Sequence, residues 1–196
     1  MAENGFPDTI VAISSANGRS GIGVVRLSGP KSIQICNDIT GLEPDQRKAH
    51  YTRFKARNGD TIDSGVVLFF RGPNSYTGED ILELQAHGNP IILNELVGRS
   101  IQLGARQARP GEFTERAFRN VKLSLDQAEA VADLITSQTI RATRSARRTL
   151  DGAFSDKVKL ILDSVRKSLY QIEASIDFVD EVPRDNFSSL LRKAAA

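Results

Sequence analysis

The chain has one cysteine, no tryptophan, two histidines and only 6% aromatic residues among 196 positions. A lone thiol, Cys36, excludes an internal disulfide, and with so few histidines there is no cluster of soft ligands for a zinc site. Cys36 lies between Ile33 and Ile39 in a helical pattern, where packing is the expected role. No apolar run is long enough to span a bilayer, and the opening MAENGFPD is neither basic nor apolar. No signal peptide is read, no membrane partner is expected, and a cytoplasmic address is the default. Charge of one sign is also scarce: a net +2 does not by itself argue for nucleic acid. What remains is ordinary for a globular chain, 40% hydrophobic and 26% charged, with length for one compact domain plus an appended element.

Strand and helix periods divide the first 120 residues. Thr9 to Ala16 and Ile22 to Ser28 read as strands joined through NGRSG, whose Asn-Gly is a hairpin signal. Gly18, Gly21 and Gly23 do not have the G-x-G-x-x-G spacing of a dinucleotide loop and read as turn or bulge glycines. Ser28-Gly29-Pro30 is expected to open a helix of about ten residues, closed by Gly41. His50 to Ala56 and Ile62 to Phe70 form a second hairpin around Asn58-Gly59, and the run VVLFF, apolar on both faces, is expected to be central. A ten-residue loop, RGPNSYTGED, follows. Asn89-Pro90 starts a helix that runs to Gln102, and Pro110-Gly111 turns the chain into a short helix over Glu112 to Asn120. Strands mixed with helices on this scale predict an α+β domain over 1–120.

Within that domain, TGEDILELQAHG places a carboxylate inside a strand. Ile81, Glu83 and Gln85 alternate with Leu82, Leu84 and Ala86. Glu83 is therefore either on a wet face or held in a cleft for something that can hydrogen-bond it, because burying it unpaired costs several kcal/mol. Arg26 shares the same ambiguity: its strand pattern fits an ordinary exposed arginine as well as a site residue.

After residue 120 the character changes, and 121–196 reads as helical. Ser124 with Gln127 has the form of a capping box, and a second helical stretch is expected from Ser137 or Gln138, past Gly152, to about Ile176. Leu150, Phe154, Val158, Ile161, Leu162, Val165, Leu169 and Ile172 lie on one stripe, which must be buried, while no third long helix is read to cover it. A last piece, Asn186 to Leu191, starts like a capped helix. The partner of the stripe is expected from another chain or from sequence beyond these residues.

Four stretches together carry a family resemblance: DTIVAISSANGRSGIGVVRLSG at 8–29, GPNSYTGEDILELQAHGNP at 72–90, ARPGEFTERAFRNVKLSLDQAEAVADLI at 108–135, and DGAFS with EASIDFVDE at 151–155 and 173–181. They resemble the N-terminal part of the tRNA modification GTPases called MnmE or TrmE, over nearly the whole chain. The resemblance implies an N-terminal domain similar to the folate-binding domain of the glycine cleavage T protein. That domain would bind a tetrahydrofolate derivative, in its 5-formyl or 5,10-methylene form, and make a homodimer. It also implies action on the wobble uridine of tRNA with a flavoprotein partner, MnmG or GidA, to install an aminomethyl-type group at C5. A helical domain would follow, with a Ras-like G domain inserted into it. GTP, magnesium and potassium belong to the complete family protein: this sequence has no G-x-x-x-x-G-K-[ST] loop, nor the family's C-terminal Cys-Ile-x-Gly-Lys tail. Hydrolysis is therefore not expected of these residues alone, and the helical domain is read as truncated.

Three positions match the family's folate contacts: Arg26 in VVRLS, Glu83 in ILELQAHG and Lys122 in FRNVKL. The assignment makes chemical sense. A pterin's pyrimidine edge offers a ring N–H beside an exocyclic NH₂, which a carboxylate accepts together, and the anionic glutamate tail suits a cation. Arg19, on the first hairpin turn, is a further candidate and reads equally as an arginine in water. Tyr76 and Phe70 could pack on a pterin face, with core or dimer packing the alternative for Phe70. Glu83 as a general base is a rival role, although folate carries the one-carbon chemistry itself. Two other classes stay open. Arg141, Arg144, Arg147 and Arg148 form a basic stripe that is either a tRNA-binding surface or a solvated face balanced by Asp151 and Asp156. The chain could also be a free-standing aminomethyltransferase or a ligand-free dimerisation scaffold.

Overall fold

The period-two stretches fold into a sheet with two unlike faces. The structure, a computed structural model, describes residues 6–16 and 18–177. Six strands, β1 (Thr9–Ile13), β2 (Ser20–Ser28), β3 (His50–Lys55), β4 (Thr61–Phe70), β5 (Ile81–Gly88) and β6 (Ala105–Gln107), lie in the order β3-β4-β5-β2-β1-β6. Neighbours are antiparallel except β1 with β6, which are parallel. The helices are α1 (Ser32–Thr40), α2 (Pro90–Gln102), α3 (Glu112–Arg119), α4 (Leu125–Thr136), α5 (Ile140–Leu150) and α6 (Ala153–Asp177). The fold is α+β, a mixed sheet with helices followed by helices alone. The chain forms two compact units that divide between Ala128 and Glu129.

In the first unit one sheet face builds the core. Val11, Val25, Leu27, Val67, Leu82 and Leu84 pack in a single cluster with Ile35, Cys36 and Ile39 of α1 and Leu93 and Leu96 of α2. Each such buried aliphatic side chain contributes about 1.5–3 kcal/mol. Burial pushes the Cys36 thiol up to about 11, so it is a packing residue with little thiolate character. Local signals end the helices. Asn89 accepts the Ile91 N–H at 2.9 Å to cap α2, with Pro90 in the first turn, and Gly41 closes α1 in the left-handed region at φ 73°.

Several boundaries differ from expectation. Ser28 does not open α1. Its hydroxyl is taken by Thr77 at 2.7 Å and Glu79 at 2.6 Å, so it stays in β2, and the helix starts at Ser32 with Lys31 at its N-cap. Strand β1 stops at Ile13, and β2 begins at Ser20 with a register shift before Gly23. Strand β6 was not expected: three residues are too short to show a period, and only pairing with β1 defines it. The long helix expected past Gly152 is broken there into α5 and α6, Gly152 taking φ 94°. The expected piece at 186–191 and Asn17 of the first hairpin turn lie outside the described residues.

The second unit, taken by itself, leaves apolar surface open. Leu160, Ile161, Val165 and Leu169 of α6 are each at least half exposed. Among the described residues no helix is long and apolar enough to cross a membrane.

Candidate functional site

The sheet face away from α1 and α2 carries the candidate residues, and strand register decides which of them meet. Arg26 on β2 stands directly opposite Glu83 on β5, flanked by Ala12 on β1 and Leu68 on β4. Arg26 donates to Glu83 from Nε at 2.9 Å and from Nη2 at 2.7 Å. Both bonds land on Oε1, so Arg26 leaves Oε2 unengaged, and the pair is not the parallel fork that would occupy both oxygens. Side-chain exposure is 30% for Arg26 and 15% for Glu83, a half-sunk pair with one side toward solvent. The guanidinium lies 5.9 Å from the ring centroids of both Tyr76 and Phe113, within reach of cation–π attraction. Glu83 is thus paired with Arg26 and is not on an open wet face.

The loop 71–80 brings Tyr76 to this pair and is itself pinned at many points. Thr77 bonds Ser28, Gly72 N–H donates to Asp80 Oδ1 at 2.9 Å, Asn120 donates to the Thr77 carbonyl at 2.7 Å, and the Tyr76 hydroxyl meets that of Thr114 at 2.9 Å. Beneath it lies a charged network that sequence reasoning missed. Arg116 of α3 is fully buried and donates to Asp8 Oδ1 at 2.8 Å, to Glu79 Oε2 at 3.1 Å and to Glu112 Oε1 at 3.4 Å, with the Phe6 ring 4.4 Å from its guanidinium carbon. Arg106 of β6 completes it with 2.6 Å bonds to Asp8 and Glu112. Hydrogen bonding from Arg106 holds the Glu112 carboxyl down at about 2. For Asp8, burial pushes upward but is outweighed by Arg106 and Arg116, which lower it. The available signal was partial: Asp8, Glu79, Glu112 and Arg116 sit inside the stretches that carry the resemblance, and Glu112 and Arg116 are four residues apart on α3, but no spacing links them to Asp8, Glu79 or Arg106.

Lys122 is not brought to the Arg26–Glu83 pair. It donates to the Pro73 carbonyl at 3.0 Å and lines a cavity of about 530 Å³ with Phe6, Gly72, Gly78, Asp80 and Arg119. Neither Arg26 nor Glu83 lines that cavity. The turn that sends Lys122 there is a Schellman motif, with Lys122 N–H on Ala117 O and Val121 N–H on Phe118 O. Its left-handed position is held by Val121 at φ 58°, where glycine is usual, a strain of about 1–2 kcal/mol beside a candidate residue. Gly78, at φ 80°, lets the loop approach closely: a Cβ there would lie 3.3 Å from Lys122 Cγ. The loop 71–80 therefore touches both places, Tyr76 at the pair and Pro73 at the lysine. Arg19 is exposed and makes no ion pair among the described residues. Phe70 is half-buried, with the Arg47 guanidinium carbon 5.8 Å from its ring centroid.

Comparison with known proteins gives this geometry a family. The model for the GTP-binding protein TrmE N-terminus matches residues 9–122, more than half of the chain. The chain belongs to the TrmE N-terminus family. A second model, the MnmE helical domain, matches 125–196, so the TrmE match ends with Lys122 and the helical match begins with α4. Curated relatives are each called tRNA modification GTPase MnmE. One from Xanthomonas campestris pv. campestris (strain 8004) is 53% identical over 91% of this chain and 40% of its own length. One from Xanthomonas euvesicatoria pv. vesicatoria (strain 85-10) is 54% identical over 88% and 39%. One from Marinomonas sp. (strain MWYL1) is 51% identical over 89% and 38%. This TrmE-family chain thus spans about 40% of the length of the relatives it matches.

Proposed function

We propose that this chain is the N-terminal part of a tRNA modification GTPase whose first unit holds a reduced folate at the Arg26–Glu83 pair. The observation that carries the folate reading is that pair: a half-sunk carboxylate with one oxygen held by a cation and the other not engaged by it, the cation itself lying 5.9 Å from the centroids of two aromatic rings. The residues fit the group. Glu83 would accept from the pterin's adjacent N–H and NH₂, Tyr76 and Phe113 offer apolar faces, and Lys122, across the loop 71–80, would meet a more distant polar or anionic part of an elongated ligand. When bound, the folate supplies the one-carbon unit, and these side chains orient it. A general-base role for Glu83 is the weaker reading, because two hydrogen bonds from Arg26 already occupy its Oε1.

The same sheet face supports a homodimer. Tyr51 on β3 is 77% exposed and stands beside Val66, while Leu68 and Phe70 are half-buried on the same side. The wobble-uridine chemistry with an MnmG-type flavoprotein, and GTP hydrolysis with magnesium and potassium, would fall to the complete protein. The sequence here holds no phosphate-binding loop, and the open stripe of α6 would be covered by helical sequence from the remaining length.

Calorimetric titration of 5-formyl-tetrahydrofolate tests the site. Glu83→Ala is expected to weaken binding by about 1.5–3 kcal/mol, the scale for a hydrogen bond to a charged group; unchanged affinity removes Glu83 from it. Sedimentation velocity tests the dimer: Leu68→Glu is expected to give monomer, and a dimer persisting in that variant rules this face out.

A further inference from the structure

Resting on the tRNA reading above, we propose that α5 is a docking surface for the phosphate backbone of a structured RNA. Its sequence, IRATRSARRTL, carries four arginines and no acid, and no acidic residue occurs between Asp133 and Asp151. The chain as a whole has 26 basic and 24 acidic residues, so with +4 on α5 everything else sums to −2. Four positive charges with no acid are thus concentrated in one helix of 11 residues.

Direction and chemistry make this more than a solvated face. At 3.6 residues per turn the four arginines fall within about a third of the helix circumference, and Arg141 to Arg148 span roughly 10 Å along the axis. With Ile140 and Thr143 they line one shallow trough of about 790 Å³. Among the described residues only Arg147 of the four makes an ion pair, with Asp151 at 3.0 Å. Arg147 and Arg148 lie in the last turn, where they also offset the helix dipole, but that accounts for two of the four. Arg141 lies in the first turn, where the helix dipole gives a cation no stabilisation, so the dipole does not account for its place. All four are arginine and none is lysine. A planar guanidinium matches phosphate oxygens two at a time, as an ammonium does not. No aromatic residue interrupts the face to stack on bases, so the contact would follow the backbone without reading sequence.

The test is fluorescence anisotropy of a labelled tRNA transcript with the whole 196-residue chain at 50 and 200 mM salt. The variant is R141Q/R144Q/R148Q, which keeps the Arg147–Asp151 pair and helix propensity. Three neutralised phosphates give a log–log salt slope of about −2 to −3, which the variant is expected to lose together with at least tenfold in affinity at 50 mM, at unchanged circular dichroism. Wild-type affinity and slope in the variant, absence of tRNA binding by the parent, or competition by polyglutamate as effective as by tRNA would each overturn the proposal. Titrating 5-formyl-tetrahydrofolate into the same proteins separates the readings. Folate binding should survive in the triple variant, and a chain that binds tRNA through α5 without binding folate would lose the folate site and keep this surface.

Discussion

Arg116→Met is expected to lower the unfolding free energy by about 3–5 kcal/mol, the scale for removing one partner of a buried ion pair. Methionine fills most of the volume, so the loss is electrostatic rather than a cavity. Without Arg116, the Glu79 side chain, 8% exposed, would keep Ser28, and that of Glu112, 3% exposed, would keep Arg106 with the N–H and guanidinium of Arg109. Urea denaturation of the variant measures this. A double variant separates the causes, since Arg116→Met with Glu79→Leu removes a stranded carboxylate as well and should recover part of the loss. A drop below about 1 kcal/mol in the single variant, or no recovery in the double, would show that the network is incidental.

The same network predicts acid lability. Glu112 is held at about 2 by its hydrogen bonds with Arg106, well below the ordinary value, and Asp8 is lowered in the same direction. A carboxyl whose folded-state value is depressed stabilises the fold above its unfolded value, near 4.5, and that contribution disappears as pH falls through the folded value. Stability is therefore expected to be flat from neutral pH to about 5 and to fall by on the order of 2–3 kcal/mol toward pH 2 from Glu112 alone. Urea midpoints across that range give the profile. Glu112→Gln should start less stable and decline less steeply, and a parallel decline in both proteins would assign the acid sensitivity elsewhere.

How much of this could be read from the chain alone depends on the range over which each residue is recognised. Glu83 was legible because a two-residue period locates a carboxylate inside a strand, and Arg26 because VVRLS does the same on β2. Their pairing was not, since it follows from the register of strands 57 positions apart. Arg116 was illegible for a stronger reason. EFTERAFR reads as an amphipathic surface helix, and the partners that draw its arginine inside lie 37 and 108 positions away. Strand β6 has no period to show in three residues, and the break between α5 and α6 rests on one glycine that a helix could also have absorbed. Lys122 was found by resemblance, and its separation from the carboxylate is set by the turn at Val121.

The loop 71–80 is tied to β2, to α3 and to itself before any ligand arrives. Freezing ten free residues on binding would take on the order of 10–20 kcal/mol of chain entropy. Here folding has already met that demand, so under the folate reading proposed above a small molecule docking beside Tyr76 would enter a preorganised cradle and keep most of its contact energy as affinity. Substitutions that merely loosen the loop, without touching the ligand, should therefore weaken capture through entropy.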